Sequence, residues 1–221
     1  MAIKKGDFIE IEFTGKIADS DEIFDTNVKE NAKKANFDIK NIKPFVLSVG
    51  HLMLPAGFDE DLVGKETEKN YVVEIAPEKA FGKRNSQFVR MIPTKLFHEQ
   101  KIDPQRGMQL ALDGQIVKVL SNSGGRTLVD FNNPLAGKKI IYDYKISKIV
   151  NDEKEKIDAL QEFLFRKKFD FEKKDGKIIF KIEKQFEPFV KLFGGKFEEI
   201  LGMKIEGEVV EKKKEGKEEI K

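Results

Sequence analysis

The sequence predicts an α+β fold in which antiparallel strands and a short helix accept a small β-rich insertion and are followed by a second α+β unit. Three observations predict it. Apolar and polar residues alternate with period two over residues 7–17 and again over 139–150, the pattern of strands with one buried face. Between them, residues 85–130 carry their own short alternating runs joined by glycine turns. Beyond Asn151 the apolar spacing becomes helical within a Lys/Glu-rich stretch.

Taken in order, the first strand runs through Phe8, Ile9, Ile11, Phe13 and Ile17 to the turn Asp19-Ser20-Asp21-Glu22. A second holds Phe24 and ends at Asp25-Thr26-Asn27, whose side-chain oxygens are suited to capping a short polar helix over 28–36. Residues 44–49 form a strand, 55–63 a short helix stopped by Gly64, and 67–75 another strand that leaves through Pro77-Glu78-Lys79-Ala80-Phe81-Gly82. Inside 85–130 a helix is expected near 93–101, then strands over 108–112, 115–120 and 126–131. Asp113-Gly114 and Ser123-Gly124-Gly125 are the turns between them, where glycine takes a positive φ without steric cost. The long strand over 139–150 then closes a sheet begun before the insertion. Past it, Ile157, Leu160, Phe163 and Leu164 fall at helical spacing, Asp175-Gly176 joins two strands, and Phe186, Phe189, Val190, Phe193, Phe197, Ile200 and Leu201 mark one apolar helix face. A last strand over 204–210 precedes a charged tail that composition reads as disordered. The units are therefore 1–84 with 131–150, the insertion 85–130, a C-terminal unit 152–211 and the tail 212–221.

The 41 basic and 39 acidic side chains nearly cancel, which argues against a polyanion partner. The insertion holds six basic against four acidic residues and the region from 152 onward 18 of each, so neither reads as a nucleic-acid arm. A chain without cysteine has no disulfide, thiolate metal site or thiol nucleophile. No apolar run suits a signal peptide or membrane span, so a soluble cytoplasmic protein is expected. His51 and His98, the two histidines, sit in different units and form no metal motif. Asp19 to Glu30 imitates a calcium loop only at its ends, because Ile23 and Phe24 occupy positions that need a ligand and a glycine. Gly50, Gly57 and Gly64 are too widely spaced to cradle phosphate, and turn and cap roles account for them. No metal or cofactor is called for.

What remains is a set of apolar residues at strand ends and turns: Phe13, Phe24, Phe45, Met53, Leu54, Phe58, Phe81 and Tyr142. Singly, each suits plain core packing. The blocks that carry them are Phe13-Thr14-Gly15-Lys16, Ile23-Phe24-Asp25-Thr26, Lys43-Pro44-Phe45, Gly57-Phe58-Asp59-Glu60, Pro77 to Gly82 and Tyr142-Asp143-Tyr144. Their order and spacing resemble FKBP-type peptidyl-prolyl isomerases over about residues 3–150. The insertion after Phe81-Gly82 looks like the insert-in-flap domain of the SlyD-like branch, and the extra C-terminal unit is similar to long archaeal members. The resemblance implies an FKBP-like antiparallel sheet wrapped on a short helix. Phe13 and Phe81 stand where better-known members have tyrosine, and Phe58 replaces a tryptophan floor. An ungapped match would put Pro55, which has no N–H, where an amide should hold the substrate carbonyl. A one-residue shift gives that role to Leu54, with Met53 as the wall beside it.

What the resemblance implies for function is rotation about X-Pro bonds without a nucleophile. Phe24, Phe45, Phe58, Phe81 and Tyr142 would line a water-poor pocket, with Asp25 orienting polar groups at its rim; Phe13 suits packing and binding equally. In the insertion, Phe88, Met91, Ile92, Leu96 and Phe97 would capture unfolded or nascent polypeptide, with macrolide inhibitors as further ligands of the pocket. The Phe-rich C-terminal helix is the core of its own unit, a homodimer contact or a client surface. A holdase with a weak or inactive pocket is the competing reading, since two hydroxyls are missing.

Overall fold

The computed structural model describes residues 2–40 and 42–210; the tail expected over 212–221 lies outside them. Residues Phe8–Ile17 form β1, and Ile23–Thr26 return beside it as β2. The short helix α1 spans Lys29–Lys34 and β3 spans Phe45–Ser48. Helix α2, Ala56–Leu62, is followed by β4, Asn70–Ile75. The insertion contributes β5 (Val89–Pro93), α3 (Thr94–Glu99), β6 (Gln109–Leu112), β7 (Gln115–Ser123) and β8 (Arg126–Asp130), and β9 (Ile140–Ile149) rejoins the first sheet. The C-terminal part is α4 (Glu153–Phe165), β10 (Phe171–Lys174), β11 (Lys177–Ile182), α5 (Glu187–Leu201) and β12 (Lys204–Val209).

The main sheet has the order β2-β1-β9-β4, with β3 also pairing to β1. Every pairing in it is antiparallel. The long alternating segments β1 and β9 are neighbours over nearly their whole length, Ile9 opposite Ile149 and Ile17 opposite Ile140. Their apolar faces are covered by α2, whose Phe58 and Leu62 are fully buried. Gly57 lies inside α2 rather than in a turn or cap: a Cβ there would come within 2.5 Å of Ile75 Cγ2, so its missing side chain lets the helix approach β4. Gly50 and Gly64 do adopt positive φ, 83° and 84°.

The insertion is a separate four-stranded sheet in the order β5-β8-β7-β6. The strand β5, absent from the sequence reading, pairs with β8 from Val89 opposite Asp130 to Pro93 opposite Arg126. Phe97, Val117 and Val129 make its small core. The chain enters and leaves it through a clamp: Arg84 reaches Asp130 at 2.7 Å, and Asn85 and Asn132 exchange hydrogen bonds of 2.8 and 2.9 Å.

In the C-terminal part, Asp152 caps α4 by accepting from the Glu155 N–H. The hairpin β10–β11 turns at Asp175-Gly176, both at positive φ. Strand β12 then joins β11 in parallel, with α5 as the crossover. The apolar core of this part is continuous with that of the main sheet, running from Phe58 and Ile146 through Val150, Ile157 and Phe165 to Phe180 and Phe197. Among the described residues, no helix is long and apolar enough to cross a membrane.

Candidate active site

The outer edge of β1 is shared by two strands. β2 pairs with Thr14 to Lys16, and β3 with Phe8 to Ile11. Asn27 occupies the gap between them: its Oδ1 accepts from the Phe13 N–H at 2.6 Å, and its Nδ2 donates to the Ile11 carbonyl at 2.8 Å. The oxygens expected to cap α1 are thus used elsewhere. Thr26 Oγ1 donates to the Phe13 carbonyl, and α1 starts at Val28 without a side-chain cap. Paired backbone here is a necessity, since an orphaned N–H or C=O would be costly.

Around this gap the aromatic side chains meet. Tyr142 lies on Phe58 with centroids 4.5 Å apart and planes 29° apart. Phe13 stands edge-on to Phe45, Phe58 and Tyr142 at 6.3, 6.3 and 5.8 Å. Phe24 stands edge-on to Tyr142 at 5.7 Å and to Phe81 at 5.8 Å. Six rings from six separate stretches of chain therefore form one connected cluster. Gly15 makes it possible, because a Cβ there would come within 2.7 Å of both Phe24 Cζ and Tyr142 Cε1.

The cluster has a buried layer and an accessible one. Phe58 and Tyr142 are 0% and 2% exposed, and neither lines either of the two cavities beside them. This corrects the expectation of open wall positions, for the stacked rings fill each other's space. Phe81 likewise lines neither cavity but, with Phe24, Phe45 and Leu54, is partly exposed at the cluster's margin. A cavity of about 860 Å³ opens on one side, with Phe13, Asp25, Phe45, Met53 and Leu54 along it. One of about 620 Å³ opens on the other, between Phe24 and the insertion's Ile116 and Leu120.

The loop before α2 is held from below by Asp59, a buried residue that the motif reading left without a role. Its carboxylate accepts from the Gly50 N–H at 2.8 Å and the Leu52 N–H at 3.0 Å. Met53 Sδ accepts from the Ser48 N–H, and the Met53 side chain is buried. The Pro55 carbonyl starts α2 by accepting from Phe58 and Asp59. Leu54 N–H makes no hydrogen bond among the described residues.

Asp25 sits at the mouth of the larger cavity. Loss of water beside the rings pushes its carboxyl above the ordinary value, partly offset by a hydrogen bond from the Thr26 backbone. Burial, and secondarily the Asp25 charge, pushes the Tyr142 hydroxyl well above that of a free tyrosine. Among the described residues no cluster of three or more potential ligands could hold a metal. His51 is hydrogen-bonded to Ser48 Oγ, and His98 lies 3.7 Å from Asp103.

This arrangement offers apolar rings and, in the Leu54 N–H, an amide without a hydrogen-bond partner among the described residues. The family described as FKBP-type peptidyl-prolyl cis-trans isomerase matches residues 1–97, and the one described as FKBP26, IF domain, matches 90–135. The short-type peptidyl-prolyl cis-trans isomerase of Methanocaldococcus jannaschii is 30% identical over 155 residues, 69% of this chain and 98% of that one. The chain belongs to the FKBP-type peptidyl-prolyl cis-trans isomerases. A probable FKBP-type 16 kDa isomerase of Pseudomonas fluorescens is 32% identical over 47% of this chain and 71% of its own length. The SlyD isomerase of Vibrio cholerae is 32% identical over 44% and 50%. As an FKBP-type isomerase this chain acts on polypeptide.

On the insertion of this FKBP-type chain, Phe88, Met91 and Leu96 are exposed, and Ile92 is partly buried. Phe97 is 3% exposed and belongs to the insertion's core. It is corrected from a client-contact residue to a packing one: on the short helix α3 it points at Val117 and Val129, while Leu96 points outward.

Proposed function

We propose that the six-ring cluster is the isomerisation centre and that the insertion presents unfolded polypeptide to it. Rotation about X-Pro must break amide resonance over a barrier of about 18–20 kcal/mol. The twisted amide carries less charge separation than the planar one, so a site that withholds water penalises the ground state more. Phe24, Phe45 and Phe81 would grip the prolyl ring, on the rigid base made by Phe58 and Tyr142. The free Leu54 N–H would hold the neighbouring carbonyl, Met53 and Phe13 would wall that side, and Asp25 would order polar groups at the rim. The single observation that carries this reading is the convergence of the rings beside an unpaired amide.

In this reading, residues 1–84 and 131–150 are the isomerase unit, 85–130 the chaperone insert and 152–211 an accessory unit. Phe88, Met91 and Leu96, exposed on the insert, support client capture, with Ile92 behind them. A tethered second site raises the local concentration of proline-containing chain at the rings. Exposed Phe189 and Leu192 on α5, with Val209 and Val210 at its last strand, support self-association through the C-terminal unit. A macrolide would compete for the same rings, and a cytoplasmic setting suits work on nascent chains.

Exchange NMR on a Leu-Pro peptide tests this. The full chain is expected to accelerate cis/trans exchange, and Phe81→Ala to reduce the acceleration sharply while the fold is kept. Absence of acceleration, with suppression of client aggregation retained, would replace the enzyme with a holdase.

A further inference from the structure

The larger cavity has two walls of different origin. One is the isomerase face; the other is α4 of the C-terminal unit, with Glu155, Ala159, Glu162, Phe163 and Arg166 turned into the same space. These positions recur at helical spacing on one side of α4, while Ile157, Leu160 and Phe165 on the other side are buried. The helix is tied across the cleft, since Glu162 pairs with Lys43, which precedes β3. Lys156 also lies over the Phe8 ring of β1, 5.5 Å from its centroid. The second wall is therefore anchored through ion pair, ring and shared core.

Most charges in the cleft are already paired. Lys168 faces Asp158 and Glu162 at 3.6 Å, Lys167 holds Glu183 at 2.8 Å, and Glu155 holds Lys148 at 2.9 Å. Arg166 and Lys154 are the lining cations without an ion pair among the described residues. Of the two, Arg166 is the one beside a ring: it ends α4 in the left-handed conformation with φ 55°, is exposed, and sits 5.9 Å above Phe163. A guanidinium spread over an aromatic face keeps its donors free for a carboxylate.

We propose that α4 forms the outer wall of the substrate cleft and that Arg166 selects polypeptide with an acidic residue flanking the proline. This rests on the ring cluster being the isomerisation centre. The cleft is continuous with that centre through Phe13, Asp25, Phe45 and Leu54, so it offers the chain on one side of a bound proline a path along α4. A carboxylate there meets an uncommitted cation, whereas a lysine meets one of its own sign.

The test uses the full chain and end-blocked peptides built on Leu-Pro, neutral or carrying Glu or Lys two residues before or after the proline. At low salt the better-placed Glu peptide should be exchanged roughly two- to fivefold more efficiently than its Lys counterpart, the size that one exposed ion pair gives. The preference should shrink in high salt. Arg166→Glu should invert the ratio of the Glu-peptide to the Lys-peptide efficiency, an inversion that general unfolding, which lowers both alike, would not produce. Equal rates for all the charged peptides, or a preference that survives Arg166→Glu, would overturn the proposal with the centre intact. Failure to accelerate even the neutral peptide would overturn the centre, and the proposal with it.

Discussion

Tyr142 lies flat against Phe58, and the pair is sealed from solvent beneath the rings that reach the surface. One ring comes from the last strand of the sheet and the other from α2, so the stack fastens helix to sheet while serving as the base of the site. Replacing Phe58 by alanine is expected to cost about 3–5 kcal/mol, because a fully buried ring leaves a cavity that β-sheet neighbours cannot collapse into. A denaturant titration measures it; a loss under 1 kcal/mol would mean that the stack is not part of the core.

Gly15→Ala attacks the same cluster from the backbone. The added methyl would lie 2.7 Å from ring atoms of both Phe24 and Tyr142, too close for either to stay. Overpacking of this kind costs about 1–3 kcal/mol. The expected outcome is a lower thermal midpoint together with slower isomerisation. Normal activity with the methyl in place would show that the rings need not hold these positions.

Much of this was legible because alternation in 7–17 and 139–150 identifies two long strands, and strands that pair bring their inward residues to one face. That Phe13 and Tyr142 meet was implied by the family resemblance, since periodicity fixes neither the partner strand nor the register that sets Gly15 opposite Tyr142. Asn27 was not legible: its bonds to Phe13 and Ile11 depend on β2 and β3 dividing one edge of β1, a long-range fact without a local pattern. Nor was β5, whose apolar residues Val89, Met91 and Ile92 suited either a strand or the start of a helix. The role of Gly57 depends on how near α2 lies to β4. Phe97 and Leu96 are adjacent in an apolar run, and the phase of a six-residue helix is set by packing rather than by periodicity. The fusion of the C-terminal core with the main sheet likewise arises from contacts between residues far apart in sequence.

Asp25 gives a pH signature. Desolvation raises its carboxyl above the unfolded value, so folding favours the protonated form. The stability this contributes is complete below the unfolded value and is lost as pH rises through the folded one. Asp25→Asn should therefore raise the unfolding midpoint at neutral pH and leave it unchanged once the wild-type carboxyl is protonated in both states. Carboxyl-selective NMR across the acid range reads the shift directly. A downward shift, or a variant less stable at neutral pH than at acid pH relative to wild type, would contradict it.

Asp130 behaves in the opposite sense. Partial burial pushes its carboxyl up, but hydrogen bonds from the Asn132 backbone and side chain and the Arg84 guanidinium outweigh that and hold it below the ordinary value. Its contribution is thus present above the unfolded value and lost as pH falls through the folded one. Because Arg84 and Asp130 join the two chain crossings at the base of the insertion, the loss should be local. Asp130→Asn keeps the shape but removes the charge that Arg84 pairs with. Hydrogen exchange at neutral pH should then quicken in β5 and β8 while the β1 and β9 amides stay protected, and acidification of the wild type should reproduce the same pattern. Uniform quickening across both sheets would mean that the clamp is not what orders the insertion on its base.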